Sequence, residues 1–119
     1  MEYSESLKKN RDFQLVYKKG TSYANKYLVM YVRENQLEKN RIGISVSKKV
    51  GNSVVRHRLC RLIRESYRLN ESAFAENLDI VVIARAGAKD RSYSEIESAF
   101  MNLAQRHQIA GEFNEEIND

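Results

Sequence analysis

The amino-acid sequence predicts one α/β domain in which helices pack on a mixed β-sheet. Apolar residues recur with helical spacing in three segments, and they alternate or cluster as in strands in four others. A chain of 119 residues can bury one core but leaves little room for two. The segments follow the order α-β-β-β-α-β-α, which indicates an α/β sandwich with a four-stranded sheet.

Three helices are expected, over residues 10–19, 53–69 and 93–108. Asn10 is a candidate N-terminal cap of the first helix, and Gly20 suits the left-handed position that often ends a helix. The other two helices begin after polar residues that can cap them or form capping boxes. These candidates are Asn52 or Ser53 for the second helix, and Ser92 with Glu95 or Ser94 with Glu97 for the third.

The strands are recognised by alternation and by β-branched composition. A short strand is expected near residues 21–25, and longer ones over 27–33, 41–47 and 78–84. Residues 34–40 connect two of them, so we expect an antiparallel pair with one open face. The last strand, LDIVVIA, is apolar along its length, which is typical of a buried strand.

The charge of the chain is unevenly distributed. The chain has 20 Lys and Arg against 16 Asp and Glu, a formal net charge of +4. The last eight residues hold four acids and no base, so we expect one domain over residues 1–111 and an acidic, disordered tail over 112–119, with fraying from residue 109. Between Arg41 and Arg68 there are eight bases and one acid. This concentration indicates a polyanion site, with a merely solvated helix face as the alternative.

Several classes of protein are disfavoured. The sequence has no run of eighteen apolar residues that would span a membrane, and its polar N-terminus does not resemble a signal peptide. Cys60 is the only cysteine, which excludes an intrachain disulfide and a cysteine-rich zinc site. A reducing, cytoplasmic compartment is therefore expected.

The second predicted helix places four basic-type side chains on one line, here called the basic ridge. The ridge consists of His57, Arg61, Arg64 and Arg68. Their spacing keeps them within about 60° of each other on a helical wheel, opposite the apolar arc. Arginine binds phosphate through two parallel hydrogen bonds, so phosphate binding is the favoured interpretation.

The segment before this helix supports the same hypothesis. Lys48 and Lys49 lie between a strand end and a helix N-terminus, where free N–H groups and the helix dipole attract anions. Gly51 either lets the backbone approach a phosphate or only makes the turn. The glycine motifs of nucleotide-binding loops are absent from the sequence.

These residues form one longer pattern. It reads RIGISVSKKVGN at residues 41–52 and VRHR at residues 55–58, followed by Arg61, Arg64 and Glu65. The pattern closely resembles the central signature of the protein subunit of bacterial ribonuclease P, and the similarity extends over roughly residues 7–106. Two positions depart from it, because His57 replaces the usual Asn and Cys60 replaces a usual basic residue. Cys60 is expected to be a small buried thiol.

The resemblance implies a function in RNA processing. In this family the catalyst is an RNA, which holds most of the Mg²⁺ ions, and the complex removes the 5′ leader from precursor tRNA. The family fold includes a left-handed β-α-β crossover. The protein is expected to bind both the catalytic RNA and the leader. It is expected to carry no catalytic residue or metal ligand and to need no obligate protein partner.

The expected contact residues form two groups. By resemblance, the group that faces the catalytic RNA comprises Lys48, Lys49, Gly51, Asn52, Arg56, His57, Arg58, Arg61 and Arg64. The basic ridge adds Arg68 to this group. The leader cleft, between the first helix and the open sheet face, is lined by resemblance by Phe13, Tyr17 and Tyr31. Strand neighbours extend this cleft to Arg33, Arg41, Ser45 and Ser47, and Gly43 is expected to leave room for an RNA strand. Ordinary core packing is the alternative for Phe13 and Tyr17.

Two other functions are kept as alternatives. A protein-only enzyme has little support, because the two histidines are far apart in sequence and Asp79 and Asp90 look isolated. A non-catalytic RNA-binding module of another ribonucleoprotein would show the same basic ridge and cleft. Cleavage assays with and without the catalytic RNA would discriminate among these functions.

Overall fold

Three α-helices, two short 3-10 helices (Glu71–Ala73 and Ala86–Ala88) and five strands lie along residues 3–111, the part of the chain that this computed structural model describes. In chain order the α-helices and strands are β1 (Ser4–Ser6), α1 (Asn10–Lys19), β2 (Thr21–Ala24), β3 (Leu28–Glu34), β4 (Asn40–Ser45), α2 (Ser53–Asn70), β5 (Leu78–Ala84) and α3 (Tyr93–Arg106). The predicted α/β class is confirmed. The predicted tail at 112–119 lies outside the described residues.

The strands form one mixed sheet in the order β1-β4-β5-β3-β2. Strand β4 runs parallel to both β1 and β5, whereas β3 runs antiparallel to β5 and β2. The sheet therefore has five strands and not the predicted four. Strand β1 was missed because its three residues, Ser-Glu-Ser, contain no apolar alternation.

The predicted pairing of the strands before and after residues 34–40 is wrong, because β5 lies between β3 and β4. Six of the seven residues of β5 are buried. A strand with both faces buried belongs in the interior of a sheet. The connection β4–α2–β5 joins neighbouring parallel strands, as expected for a β-α-β crossover. The left hand of this crossover stays a prediction.

The sheet has a helical layer on each face. Helices α2 and α3 cover one face and form the main core, to which Leu59, Ile63, Ile96 and Phe100 contribute fully buried side chains. Helix α1 covers part of the other face over a smaller cluster around Leu7, Val16 and Val81. The face that was expected to be open is therefore partly closed by α1.

The helix ends differ from the predictions in two places. Asn10 is the first residue of α1 and not its cap, because the N-cap position is Lys9, which makes no side-chain capping bond. Gly20 is extended, with φ −86°, and not left-handed. It is required by close packing, since a Cβ there would lie 2.6 Å from the carbonyl oxygen of Val16.

The last helix begins at a polar capping box, and the chain after it stays ordered as far as residue 111. Ser92 and Glu95 form the predicted capping box at the start of α3. The fraying expected from residue 109 is wrong for residues 109–111. Ile109 is buried, and the Gly111 N–H donates to the carbonyl of Ala73 at 2.8 Å.

Candidate nucleic-acid interface

Helix α2 exposes the basic ridge because its apolar side chains face the sheet. Leu59, Leu62, Ile63 and Tyr67 are buried, whereas His57, Arg61, Arg64 and Arg68 are exposed. The predicted ridge is therefore assembled in the fold. Within residues 3–111, His57, Arg61 and Arg64 take part in no side-chain hydrogen bond or ion pair, whereas Arg68 is paired with Glu65. Three ridge positions are thus available to an external partner.

A shallow groove of about 740 Å³ runs along the ridge. Its lining includes Ser53, Val54, His57, Arg58, Cys60, Arg61, Arg64 and Glu65. Val54 is 75% exposed, so an apolar side chain stands among the cations. Such a groove offers charge for phosphates and an apolar contact for a sugar or a base.

The segment before α2 presents lysines and a helix N-terminus together. Lys48 and Lys49 are exposed in a turn that the Val50 N–H closes by donating to the Ser47 carbonyl at 3.1 Å. The Asn52 side chain caps α2 by accepting from the Val55 N–H at 3.0 Å, and the first turn of α2 contains no acid. The remaining free N–H groups and the helix dipole favour an anion at this end.

Gly51 has a packing role. A Cβ at this position would lie 2.7 Å from Cγ1 of Val55 in the first turn of α2. This contact favours the turn interpretation of Gly51 over direct phosphate approach, and it explains the glycine without any ligand.

The other members of the predicted set on α2 are less free. Arg58 donates from Nη2 to the carbonyl of Arg91 at 2.8 Å, which ties α2 to the loop before α3. The Nε of Arg56 is buried and has no hydrogen-bond partner among the described residues. Cys60 is half-buried, and burial raises the pKa of its thiol, although Arg64 and Arg56 act in the opposite direction.

The predicted aromatic cleft lies on the opposite face of the sheet, under α1. The ring centroids of Phe13 and Tyr17 are 6.4 Å apart, and those of Tyr17 and Tyr31 are 5.0 Å apart in an edge-on arrangement. Tyr17 is hydrogen-bonded to Ser45, and burial raises the pKa of its hydroxyl. The structure thus brings together four of the seven predicted cleft residues as half-buried neighbours.

Gly43 does not leave room for an RNA strand as expected. A Cβ at Gly43 would lie 2.7 Å from Cζ of Phe13, so the ring of Phe13 already occupies that space. Phe13 therefore has the packing role that was the alternative for it, while its half-buried ring still borders the cleft. Ser47 lies outside β4, and its Oγ accepts from the Lys49 N–H at 3.3 Å.

Sequence reasoning missed the residue that organises the two remaining cleft arginines. Asp79 looked isolated, but its buried carboxylate accepts two hydrogen bonds from Arg41, both at 2.8 Å, and one from Asn35 at 2.9 Å. Arg33 approaches it at 3.6 Å. An acid inside an otherwise apolar strand was the available signal, since a buried charge requires partners.

The pKa of Asp79 follows from these contacts. Burial alone would raise the pKa of this carboxyl, but the hydrogen bonds from Arg41 and Asn35 outweigh burial and hold it below its ordinary value. Asp79 is therefore ionised at neutral pH, and Arg41 is engaged within the protein.

No group of three or more His, Cys, Asp or Glu within residues 3–111 is arranged to hold a metal ion. None of the helices in the same range combines the length and the apolar composition needed to cross a membrane.

The fold and these surfaces define an α/β protein with one exposed basic helix and an aromatic cleft on the opposite side of its sheet. A family model described as Ribonuclease P matches residues 1–108. The chain belongs to the ribonuclease P protein family. Its family makes it a component of a tRNA-processing nuclease.

Individual relatives agree with this membership. A Ribonuclease P protein component of Lachnoclostridium phytofermentans is 67% identical over 106 residues, which cover 89% of this chain and 91% of the relative. The solved structure of the Staphylococcus aureus RNase P protein has a TM-score of 0.83 at 40% identity, covering 89% of this chain and 97% of that one. The Thermotoga maritima RNase P protein has a TM-score of 0.79 at 34% identity, covering 89% and 98%.

Proposed function

We propose that this protein binds the catalytic RNA of ribonuclease P through the basic ridge and the lysine turn before it. The observation that carries the proposal is the set of exposed, unpaired cations on one face of α2, beside a helix N-terminus without acids. Uncompensated cations on one helix face attract the phosphate backbone of an RNA. A merely solvated face would be expected to pair its arginines with acids, as Arg68 pairs with Glu65.

We further propose that the 5′ leader of precursor tRNA lies in the cleft between α1 and β3. Tyr17 and Tyr31 are half-buried there, so each ring is partly open to a base. Stacking on aromatic rings holds single strands without strict sequence recognition. The packing of Phe13 on Gly43 restricts the cleft to its outer part, beside these two tyrosines.

Catalysis is assigned to the RNA subunit. The described residues offer no carboxylate cluster that would fit Mg²⁺, so no reaction step is derived through a metal on this chain. The Mg²⁺ ions are proposed to be held mainly by the RNA, and the complex is proposed to act in the cytoplasm.

Reconstitution tests the whole proposal. Cleavage of precursor tRNA is measured with protein alone, with catalytic RNA alone and with both, over a series of Mg²⁺ concentrations. We expect no cleavage by protein alone, and a lower Mg²⁺ requirement when protein is added to the RNA. Cleavage by protein alone would support a protein-only enzyme. An unchanged Mg²⁺ requirement and unchanged leader affinity would support a role in another ribonucleoprotein.

A further inference from the structure

Helix α1 is held to the sheet by few apolar contacts. It is ten residues long, and Val16 is its one buried residue, while Phe13 and Tyr17 are half-buried. Its first turn lacks a side-chain cap, because the N-cap Lys9 makes no such bond. The apolar packing of α1 into the smaller cluster is therefore limited to Phe13, Val16 and Tyr17, and the residues of its first turn before Phe13 depend on polar contacts.

A chain of charges ties that end to the sheet. Arg41 on β4 approaches Oδ2 of Asp12, in the first turn of α1, with Nη1 at 3.4 Å. The same guanidinium forms two hydrogen bonds with Asp79 through Nε and Nη2. These three residues are here called the Asp12–Arg41–Asp79 bridge.

The inner end of the bridge is rigid. The Asp79 side chain is 1% exposed, and the Asn35 side chain that donates to it also accepts from the Leu37 N–H at 2.8 Å. Two parallel hydrogen bonds fix the plane of a guanidinium, so Nη1 of Arg41 points in one direction. In this direction Nη1 meets the carboxylate of Asp12, which favours one position of the first turn of α1.

We propose that the Asp12–Arg41–Asp79 bridge positions the aromatic wall of the leader cleft. Asp12 immediately precedes Phe13, whose ring packs on Gly43, and it lies five residues before Tyr17, whose ring faces Tyr31. The bridge thus sets the position of α1 over β4 and β5, and through it the distance from α1 to Tyr31 on the neighbouring strand β3, before single-stranded RNA enters. The inference rests on the proposed leader-binding function of this cleft. It makes Arg41 a positioning residue and not a contact of the leader.

Removing the charge of Asp12 tests the proposal, because electrostatics and positioning predict opposite changes in the affinity for the leader. Asp12→Asn removes a negative charge next to the cleft, so simple electrostatics would strengthen RNA binding. Loss of positioning would weaken leader binding instead, by about three- to tenfold, because the preorganisation of the cleft is reduced. Asp12→Glu keeps the carboxylate and is expected to retain most of the wild-type affinity.

The experiment measures the affinity of the reconstituted holoenzyme for precursor tRNA with a leader and for leaderless tRNA. The ratio of the two affinities is the leader preference. Asp90→Asn serves as the matched control, because it changes the net charge equally, and the left-handed φ of 67° at this exposed residue tolerates Asn. We expect Asp12→Asn to lose leader preference, and Asp90→Asn to keep it.

The other possible outcomes distinguish a failure of the proposed cleft function from a failure of the bridge. A wild-type holoenzyme without leader preference would contradict the proposed function of the cleft itself. A wild-type preference that Asp12→Asn keeps or increases would overturn the bridge as a positioning device while leaving the proposed function intact. If Asp12→Asn lowered the thermal midpoint and weakened the affinity for both tRNAs equally, Asp12 would act in folding alone, and this result would also overturn the inference.

Discussion

The buried carboxylate of Asp79 connects charged side chains from neighbouring strands of the sheet. This carboxylate lies opposite Arg41 in the register of β4 and β5, and opposite Arg33 in that of β3 and β5. It therefore joins three neighbouring strands on the α1 side of the sheet. The two arginines that flank it are partly exposed, so the ion pair is buried at one end and reaches solvent at the other.

Asp79→Asn is expected to destabilise the protein by roughly 3 kcal/mol at neutral pH, because it leaves the charge of Arg41 without its buried partner. The folded-state pKa of Asp79 is lowered, so the ion pair contributes stability above the ordinary Asp pKa of about 4 and loses it as the pH falls further. Urea unfolding at pH 7 and near pH 3 measures the difference between wild type and variant. An equal difference at both pH values would attribute the loss to packing and not to charge.

The roles of single residues were predicted from sequence only where they act locally. The Ser92–Glu95 capping box follows from a spacing of three residues and is confirmed. The partners of Asp79 and the ring above Gly43 are about 30 to 46 positions away in sequence. Sheet register decides which charged side chains meet at Asp79, and the packing of α1 on the sheet brings Phe13 to Gly43. A spacing rule along one segment contains no such information.

At the scale of elements, the two faces of α2 have different roles. The face with Leu59 and Ile63 stabilises the core, and the face with Arg61 and Arg64 is free of internal partners among the described residues. A substitution on the exposed face should therefore change RNA binding without changing stability.

Arg64→Ala is expected to weaken binding to the catalytic RNA and to reduce the slope of log affinity against log salt by about 0.7 to 0.9, the share of one phosphate contact. Binding titrations at several salt concentrations measure this slope. Arg68→Ala is the matched control, and it should change the slope less because Glu65 already pairs with Arg68. An unchanged slope for Arg64→Ala would mean that this arginine is only solvated.

Hydrophobic periodicity predicted the long helix and the buried strand well, but it predicted neither the edge strand β1 nor the order of the strands. Helix α2 and strand β5 begin where expected, because their apolar residues follow one period without interruption. Strand β1 has no such pattern, and it is recognised only through its parallel pairing with residues 40–42. The order of strands in the sheet was also missed, because a short connection suggested that β3 and β4 are neighbours, whereas burial on both faces places β5 between them.

At the scale of the whole molecule, the uneven charge weakens the folded state when no partner is present. Residues 1–111 contain all 20 bases of the chain and twelve of its 16 acids, so the net charge of this part is twice that of the whole. The unpaired ridge adds repulsion that a bound anion would relieve.

Inorganic pyrophosphate is therefore expected to raise the thermal midpoint of the isolated protein by about 5 °C at ten times its dissociation constant, corresponding to about 1.4 kcal/mol of linkage. Differential scanning calorimetry in pyrophosphate and in sodium chloride of equal ionic strength makes the comparison. The Arg61→Ala, Arg64→Ala double variant should respond less. The same rise in chloride would indicate general screening and would contradict an anion site on the ridge.

The N-terminal strand has a consequence for how the chain folds during synthesis. Ser4 hydrogen-bonds to Tyr67 and Glu71, and β1 pairs with residues 40–42, so every one of these partners is made long after β1 itself. Strand β1 therefore waits for partners made later, and the central strand β5, at residues 78–84, is the last strand of the sheet to be made. Until residue 84 has left the ribosome, β4 lacks its partner β5 and presents an unpaired edge that includes Ile42 and Ile44. We expect the nascent chain to be most exposed to aggregation in this interval.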